Sequence, residues 1–148
     1  MDDSERKLFT LKEAERTRVE VEPVLLEAMQ AHRKMAEVEQ GLSSLAERIM
    51  RSGGMLVSRE RARKLRAEHD ALGDAVREAL ERIQATGCVV KDLDVGLLDF
   101  PARINNEEVY LCWRVGEDRI RFYHRQDEGF AGRKPLDPRD SGYRNPIQ

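Results

Sequence analysis

The sequence predicts an α+β fold in which a long antiparallel helical hairpin, coiled-coil-like, precedes a small four-stranded antiparallel sheet. Apolar residues recur at spacings of 4 and 3 across residues 24–49 and again across 58–83, which is a heptad pattern. The stretch RSGGMLVS, with two glycines, separates the two runs. After residue 87 the apolar period changes to 2, which indicates strands.

Length and composition are those of one domain. A chain of 148 residues with 40% hydrophobic content can bury one core. We expect a single domain over 1–148, with a hairpin lobe (9–87), a sheet lobe (88–135) and a flexible tail (136–148). The net charge of -2 provides no overall field that would select a nucleic acid or a membrane.

The first ten residues, MDDSERKLFT, lack the basic start and apolar stretch of a secretory signal. No apolar run reaches the roughly 20 residues of a membrane span, so we expect a cytoplasmic protein. Cys88 and Cys112 form no Cys-x-x-Cys pair, and in a reducing compartment they are interpreted as small buried hydrophobic residues. We expect neither a disulfide nor a cysteine-based metal site.

The first helix should begin near Leu11, because Thr10 and Glu13 have the spacing of a capping box. Pro23 predicts a kink or short break, since proline lacks the backbone donor and disfavours helical geometry at the residue before it. The seam that follows consists of Val24, Ala28, Ala31, Met35, Val38, Leu42, Leu45 and Ile49.

The second helix should be capped by Ser58 and closed by Gly87. Its seam consists of Ser58, Ala62, Leu65, His69, Leu72, Val76, Ala79 and Ile83. Two helices of similar length joined by a short loop should pack back on each other. That pairing places His69 near Val38 as a core residue, without a ligand role.

The predicted hairpin tip is basic, and two interpretations stay open. A partner with phosphates or carboxylates would balance its charge, as nucleic acid does. A solvated face, partly paired with carboxylates one turn away, needs no partner. The basic residues are Arg48, Arg51, Arg59, Arg61, Arg63, Lys64 and Arg66.

Four short strands are predicted from CVVKDLD, LLDFPARI, VYLCWRV and RIRFYHR. A turn at Asn105 and Asn106 pairs Arg103 with Glu108 and Leu98 with Trp113. A tight turn at Glu117 and Asp118 sets the next register, with the pairs Val115 and Ile120, Trp113 and Phe122, and Leu111 and His124.

These registers predict one face that covers the helices and one outer face that is basic and aromatic. The predicted core face consists of Leu98, Phe100, Ala102, Val109, Leu111, Trp113, Val115, Ile120 and Phe122, and ends at His124. The outer face suits a subunit interface, stacked bases or phosphorylated ligands, or only cross-strand pairs and solvated arginines. Its candidate binding residues are Arg103, Tyr110, Arg114, Arg121 and Tyr123, with Arg133 from the following loop.

Carboxylates and an imidazole near the strand ends provide candidates for catalysis and metal binding. His124, Asp99 and Asp127 are the candidate acid–base residues. Asp92 and Asp94 alternate onto one side of a strand and could share a cation, although Asp-x-Asp also forms turns. The loop DEGFAGRKP has two glycines beside basic residues, which suits a phosphate cradle or a plain surface loop.

The stretches KDLDVGLLDFPA, VYLCWRVGE and YHRQDEGFAGRKPL, together with the start FTLKEAERTRVEVEPVLLE, resemble the bacterial family called domain of unknown function 2203. The resemblance runs from Phe9 to Leu136. It implies a small cytoplasmic bacterial protein with a helical part followed by strands, and it brings no catalytic residue or cofactor.

Three functional hypotheses follow from these patterns. The first is a non-enzymatic interaction module that self-associates, with a dimer favoured, based on the helical seams and the outer face of the sheet. The second is a metal- or phosphate-dependent enzyme that uses Asp and His at the sheet ends. The third is nucleic-acid binding through the basic hairpin tip.

Overall fold

The structure, a computed structural model, describes residues 7–52 and 56–136, with side chains for 7–51 and 59–136. Two helices, α1 (Leu11–Ser52) and α2 (Leu56–Gln84), precede the strands of one sheet. The strands are β1 (Val89–Asp92), β2 (Leu97–Ile104), β3 (Glu107–Arg114), β4 (Phe122–Arg125) and β5 (Lys134–Pro135). The α+β prediction is confirmed, with five strands described where four were predicted.

The start of α1 is the predicted capping box. The Thr10 backbone N–H donates to Glu13 Oε1 at 3.0 Å, and the Glu13 N–H donates to Thr10 Oγ1 at 3.1 Å. Just before it, the Phe9 N–H donates to the Pro101 carbonyl at 2.6 Å and forms a bridge to Ala102. The helix therefore begins at a point fixed to the middle of β2.

Two expectations about the helices are corrected. The short break, one of the two outcomes expected at Pro23, does not occur: helix α1 is continuous through this residue, whose side chain is exposed. A proline on the solvent side is tolerated, since water can hydrate the carbonyl that loses its intrahelical donor. Helix α2 begins at Leu56, so Ser58 lies inside it rather than at its cap, and its side chain is outside the described ones.

The helices pack antiparallel, as predicted. A methyl group built on Gly73 would lie 3.7 Å from Met35, and one on Gly41 would lie 3.8 Å from Leu65. Between these two contacts, His69 Nε2 lies 2.8 Å from Glu39 Oε1. The surroundings of His69 therefore include a carboxylate as well as aliphatic side chains. The seam is buried at Ala28, Val38, Leu45, Ala62, Val76, Ala79 and Ile83. Gly87, with φ 95°, follows the last turn of α2 in the left-handed conformation expected of it.

The strands form an antiparallel meander in the order β1-β2-β3-β4-β5. Strands β2 and β3 pair in the predicted register, with Arg103 opposite Glu108 and Leu98 opposite Trp113. Asn105 and Asn106 have φ of 52° and 65°, as a two-residue hairpin turn of type I′ requires.

The predicted register of β3 with β4 is wrong by one residue. Leu111 lies opposite Tyr123, and Cys112 lies opposite Phe122. The connection is not a tight turn: residues 115–121 form a loop, held to α1 because the Ile120 N–H donates to Glu15 Oε2 at 2.9 Å. A one-residue slip exchanges the two faces of a strand, so Tyr123 faces the helices and His124 faces the outer side.

The stretch after β4 also differs from the predicted open loop. It forms a 3-10 turn at Phe130–Gly132 and then β5, which pairs with β4. The Leu136 N–H donates to the Arg121 carbonyl at 2.8 Å, and the Leu136 side chain packs against the core. The rest of the predicted tail, residues 137–148, lies outside the described residues.

One apolar core lies between the sheet and the base of the hairpin. Trp113, Leu98 and Phe100 are fully buried there against Leu25 and Ile83 of the helices. The predicted core face is confirmed from Leu98 to Ile120 and also includes Ile104, whereas Phe122 and His124 are on the other side.

Candidate functional site

A groove opens between the start of α1, residues 11–19, and a wall formed by residues 119–122 and 135–136. Its volume is about 700 Å³, within the range of ligand-binding pockets. Its apolar lining comes from Leu11 and Val19 of α1 and, across the groove, from Ile120, Phe122, Pro135 and Leu136. Val19 is 57% exposed, so much of its apolar surface remains open to solvent.

The ionisable groups of the groove are mostly cations. Lys12 and Arg16 of α1 face Arg119 and Arg121 across it, and Glu15 is the one carboxylate among the described lining residues. Glu15 is engaged with the Ile120 N–H and with Arg18, and Arg121 is engaged with Asp118. Within the described residues, Lys12, Arg16 and Arg119 form no ion pair, so the groove combines an apolar lining with available positive charge.

A second group of polar side chains is buried on the outer side of the sheet. Asp99 in β2, Cys112 in β3 and His124 in β4 are 1%, 1% and 3% exposed. Asp99 is opposite Cys112, while His124 is opposite Tyr110 and two residues beyond the partner of Cys112. The three side chains meet because they share one face of three neighbouring strands. Their potential ligand atoms all lie within 4.8 Å of one another.

The hydrogen bonds of His124 define where its ring protons lie. Nδ1 is 2.8 Å from the Arg125 carbonyl oxygen, which can only accept, so Nδ1 carries a proton. Nε2 is 3.0 Å from Asp99 Oδ1. Two bare acceptors would repel at that distance, so one proton lies between His124 and Asp99. The other oxygen, Asp99 Oδ2, is buried and has no hydrogen-bond partner among the described residues.

The surroundings favour the protonated forms of the two acids. Burial raises the pKa of Asp99, and the bond to His124 partly offsets that rise. Burial and then the neighbouring Asp99 carboxylate raise the pKa of Cys112 to about 12. A thiol in this state is a poor nucleophile, since the thiolate is the reactive form.

Arg133 lies beside Cys112 at the edge of this cluster. Its guanidinium forms two bonds with the Glu117 carboxylate, at 3.0 and 2.9 Å. The guanidinium carbon lies 4.0 Å from the centre of the Phe122 ring and 4.1 Å from that of Phe130. Arg133 also interacts with the Cys112 thiol. This arginine, predicted as a binding residue in an open loop, is therefore largely occupied by the protein itself.

The other candidate binding residues of the sheet do not share one free surface. Tyr123 is on the core side, because of the shifted register. Arg103 is 3.8 Å from Glu108, Arg121 is bound to Asp118, and the Arg114 guanidinium lies 5.8 Å from the Phe130 ring centre. Tyr110 is half-buried, with its ring centre 5.5 Å from that of His124.

The remaining carboxylate candidates lie apart from the buried cluster. Asp92 Oδ1 accepts the backbone N–H groups of Asp94 and Val95, as in a turn. Asp94 pairs instead with His32 of α1, at 3.2 Å. Asp127 is exposed in the turn after β4. Asp99 and His124 are thus the candidate catalytic residues that the structure brings together.

The basic tip of the hairpin is exposed. Arg51 is 3.8 Å from Glu47, and Arg63 is 3.4 Å from Glu60. These pairs are the one-turn contacts expected of a solvated charged face. Neither helix, over its described residues, offers a stretch long and apolar enough to cross a membrane.

Comparisons with known proteins give one match. No curated protein and no solved structure matches this chain. The model of one family matches residues 7–136, which includes both helices, all five strands, the groove and the buried cluster. The chain belongs to this family, which is described as "Uncharacterized conserved protein (DUF2203)".

Proposed function

We propose that this protein is a non-enzymatic interaction module that uses the groove to bind an acidic, apolar segment of a partner protein. The observation that carries the proposal is the composition of the groove, in which an apolar lining lies beside three cations that have no ion-pair partner among the described residues. Apolar contact provides affinity, and complementary charge provides selection and a faster approach.

The residue types of the groove support binding rather than acid–base chemistry. Its carboxylate, Glu15, is already held by Arg18 and the Ile120 N–H. The imidazole and thiol on the outer side, His124 and Cys112, are buried and are not among the residues that line the groove. A substrate in the groove would meet cations and apolar side chains.

Two peptides of equal length and equal apolar content test this proposal, one with glutamates and one with lysines at the charged positions. Displacement of anilinonaphthalene sulfonate, a fluorescent apolar anion, reports occupancy of the groove. The acidic peptide should displace it, and the double variant R16E/R119E should weaken peptide binding at least about tenfold, through loss of attraction and added repulsion. The matched control is Arg33→Glu, an exposed residue of α1 outside this groove.

Two results would contradict the groove as the binding surface. One is equal displacement by the acidic and lysine peptides. The other is equal loss of binding in R33E and in R16E/R119E.

Self-association is a second candidate, supported by an exposed apolar stripe on α1. Val19, Pro23 and Leu26 follow one another at spacings of 4 and 3, and Val19 and Leu26 are 57% and 42% exposed. The stripe begins at the groove and would fit a second copy of the chain. Native mass spectrometry should then show a dimer that V19S/L26S dissociates and Met50→Ser, at an 86% exposed residue elsewhere, does not.

The same experiment separates the stripe from the outer face of the sheet. R103E/R114E should leave the dimer intact, because both arginines lie on the outer side of the sheet, whereas the stripe lies on α1, which packs on the other side. A monomer at every concentration would refute self-association and leave the groove proposal standing. Salt-sensitive binding of RNA or DNA that depends on the arginines of the tip would instead support the nucleic-acid hypothesis.

A further inference from the structure

We propose that Asp99, Cys112 and His124 form a binding site for one divalent transition-metal ion, with the ligand preferences of zinc. The three residues provide one oxygen, one sulfur and one nitrogen, all buried and all on one face of the sheet. Zinc binds this mixture of donors, whereas magnesium and calcium prefer oxygen alone.

The orientation of His124 is that of a metal ligand. A ligating histidine usually donates its second ring N–H to a carbonyl or carboxylate, which fixes the tautomer and aims the other nitrogen at the metal. Here Nδ1–H donates to the Arg125 carbonyl at 2.8 Å, and Nε2 points to Asp99. The backbone of β4 thus holds the ring with its lone pair toward the other two ligands.

Asp99 provides an independent observation. Its carboxylate is almost fully buried, and one oxygen is 3.0 Å from His124. The other oxygen has no hydrogen bond of ordinary geometry within the described residues, and the carboxylate interacts besides only with the Cys112 thiol and more distant cations. An unpaired buried carboxylate oxygen destabilises the folded protein, because no donor replaces the water that it loses on folding. A cation bound between Asp99, Cys112 and His124 would satisfy the carboxylate.

The spacing of the ligand atoms requires little movement. Tetrahedral zinc ligands at ordinary bond lengths lie roughly 3.3–3.7 Å apart. The present atoms are 3.0 Å apart for His124 and Asp99, and no pair is more than 4.8 Å apart. A change of at most about 1–1.5 Å in any of these distances, with a slight separation of His124 from Asp99, would bring all three to one ion and leave the fourth position for water or a small ligand.

The charges also balance on binding. The divalent ion replaces two protons, the one between Asp99 and His124 and the one on the Cys112 thiol. The product has two positive charges on the metal and one negative charge each on carboxylate and thiolate, with neutral histidine. The buried site therefore gains no net charge, which avoids the cost of an uncompensated buried ion. Arg133, which already interacts with Cys112, would donate a hydrogen bond to the thiolate.

Cobalt(II) titration of the full-length, chelator-treated protein tests the site, because a cobalt–thiolate bond gives a charge-transfer absorption band that carboxylate and imidazole ligands do not. One cobalt per chain should produce the band, and one zinc per chain should remove it. C112S should lose the band, and D99N should bind at least about 100-fold more weakly. D99N is expected to remain folded, since its amide N–H can donate to His124 Nε2 and so replace the shared proton.

Three control variants identify the ligands. Cys88→Ser changes the other buried cysteine and should keep the band. His32→Ala and His69→Ala remove two more exposed pairs, with Asp94 and Glu39, which are rival surface sites. The proposal would be overturned if the wild type gives no band at one equivalent, or if the band survives in C112S. Unchanged affinity in D99N, or loss of the band in H32A or H69A, would overturn it too.

Discussion

The two sides of the sheet are both buried, but by different means. On the helix side, Leu98, Phe100 and Trp113 meet the apolar faces of α1 and α2. On the outer side, Asp99, Cys112 and His124 are buried, with Tyr110 beside His124 and Arg133 beside Cys112. The helix side is built from apolar contact, whereas the outer side depends on hydrogen bonds and charge pairs. We therefore expect the helix side to contribute most of the free energy of unfolding and the outer side to provide the polar groups that can bind a ligand.

The largest expected difference between the two sides comes from truncating an aromatic residue on each. Phe100→Ala should lower the free energy of unfolding by about 3–5 kcal/mol, because Phe100 is fully buried and leaves a cavity. Phe122→Ala should cost about 1–2 kcal/mol, since Phe122 is only half-buried and loses mainly its stacking with Arg133. Urea denaturation followed by circular dichroism measures both values. Equal losses would contradict the contrast.

A smaller effect is expected from the polar pair of the outer side in metal-free protein. Asp99→Ala should cost about 1–3 kcal/mol, because it leaves His124 Nε2 buried without a partner. Asp99→Asn should cost less than about 1 kcal/mol, since its amide can donate to Nε2. Urea denaturation of both variants gives their free energies of unfolding. Asn has nearly the same volume as Asp, so D99N reports the exchange of the hydrogen bond without a change in the volume of the side chain. Equal stability of D99A and D99N would show that the pair contributes nothing.

The smallest effect concerns the capping box, which belongs to the helix side and should respond to pH. The Thr10 backbone N–H and then its hydroxyl lower the pKa of Glu13 from 4.5. A carboxyl group whose pKa is lower in the folded state stabilises the fold at pH values above its pKa in the unfolded state. This contribution is lost as the pH falls through the pKa of the folded state. Glu13→Gln should therefore cost about 0.5 kcal/mol at neutral pH and less at pH near 3.

The measurement for this prediction is the stability difference between wild type and variant at the two pH values. Glu37→Gln, at an exposed position of the same helix, is the matched control. A difference for E13Q that grows as the pH falls would contradict the assignment of the capping box.

The sequence patterns predict the helix side well because its determinants are periodic and local. The heptads locate the seam, and the two asparagines set the register of β2 with β3. The register of β3 with β4 is not local. It depends on the 115–121 loop, which Glu15 anchors through Ile120, a contact between residues 105 positions apart. The residues between the two strands favour a tight turn at Glu117 and Asp118, and a strand paired through that turn would place His124 on the helix side of the sheet.

Asp99 carries the signal that could have placed His124. It occurs within the strand LLDFPARI, where an acidic residue amid apolar neighbours needs a partner if it is buried. His124 is the one imidazole that the sequence places among the strands. The register of β2 with β3, which the sequence predicts correctly, places Cys112 opposite Asp99. Their proximity to His124 depends on the register of β3 with β4, which no spacing along the chain indicates. The groove also depends on tertiary packing, since its walls are about 100 residues apart in the sequence.

The most direct test of the contrast between the two sides is the protonation of the His124 ring by nitrogen-15 NMR, on chelator-treated protein with the H124A spectrum as the assignment control. We expect a proton on Nδ1, held by the Arg125 carbonyl, and a signal change at Nε2 when one equivalent of zinc is added. A ring with a bare Nδ1 would contradict the hydrogen bond from His124 to the Arg125 carbonyl, which orients Nε2 toward Asp99 on the outer side. That result would also contradict the proposed role of His124 as a metal ligand on the outer side.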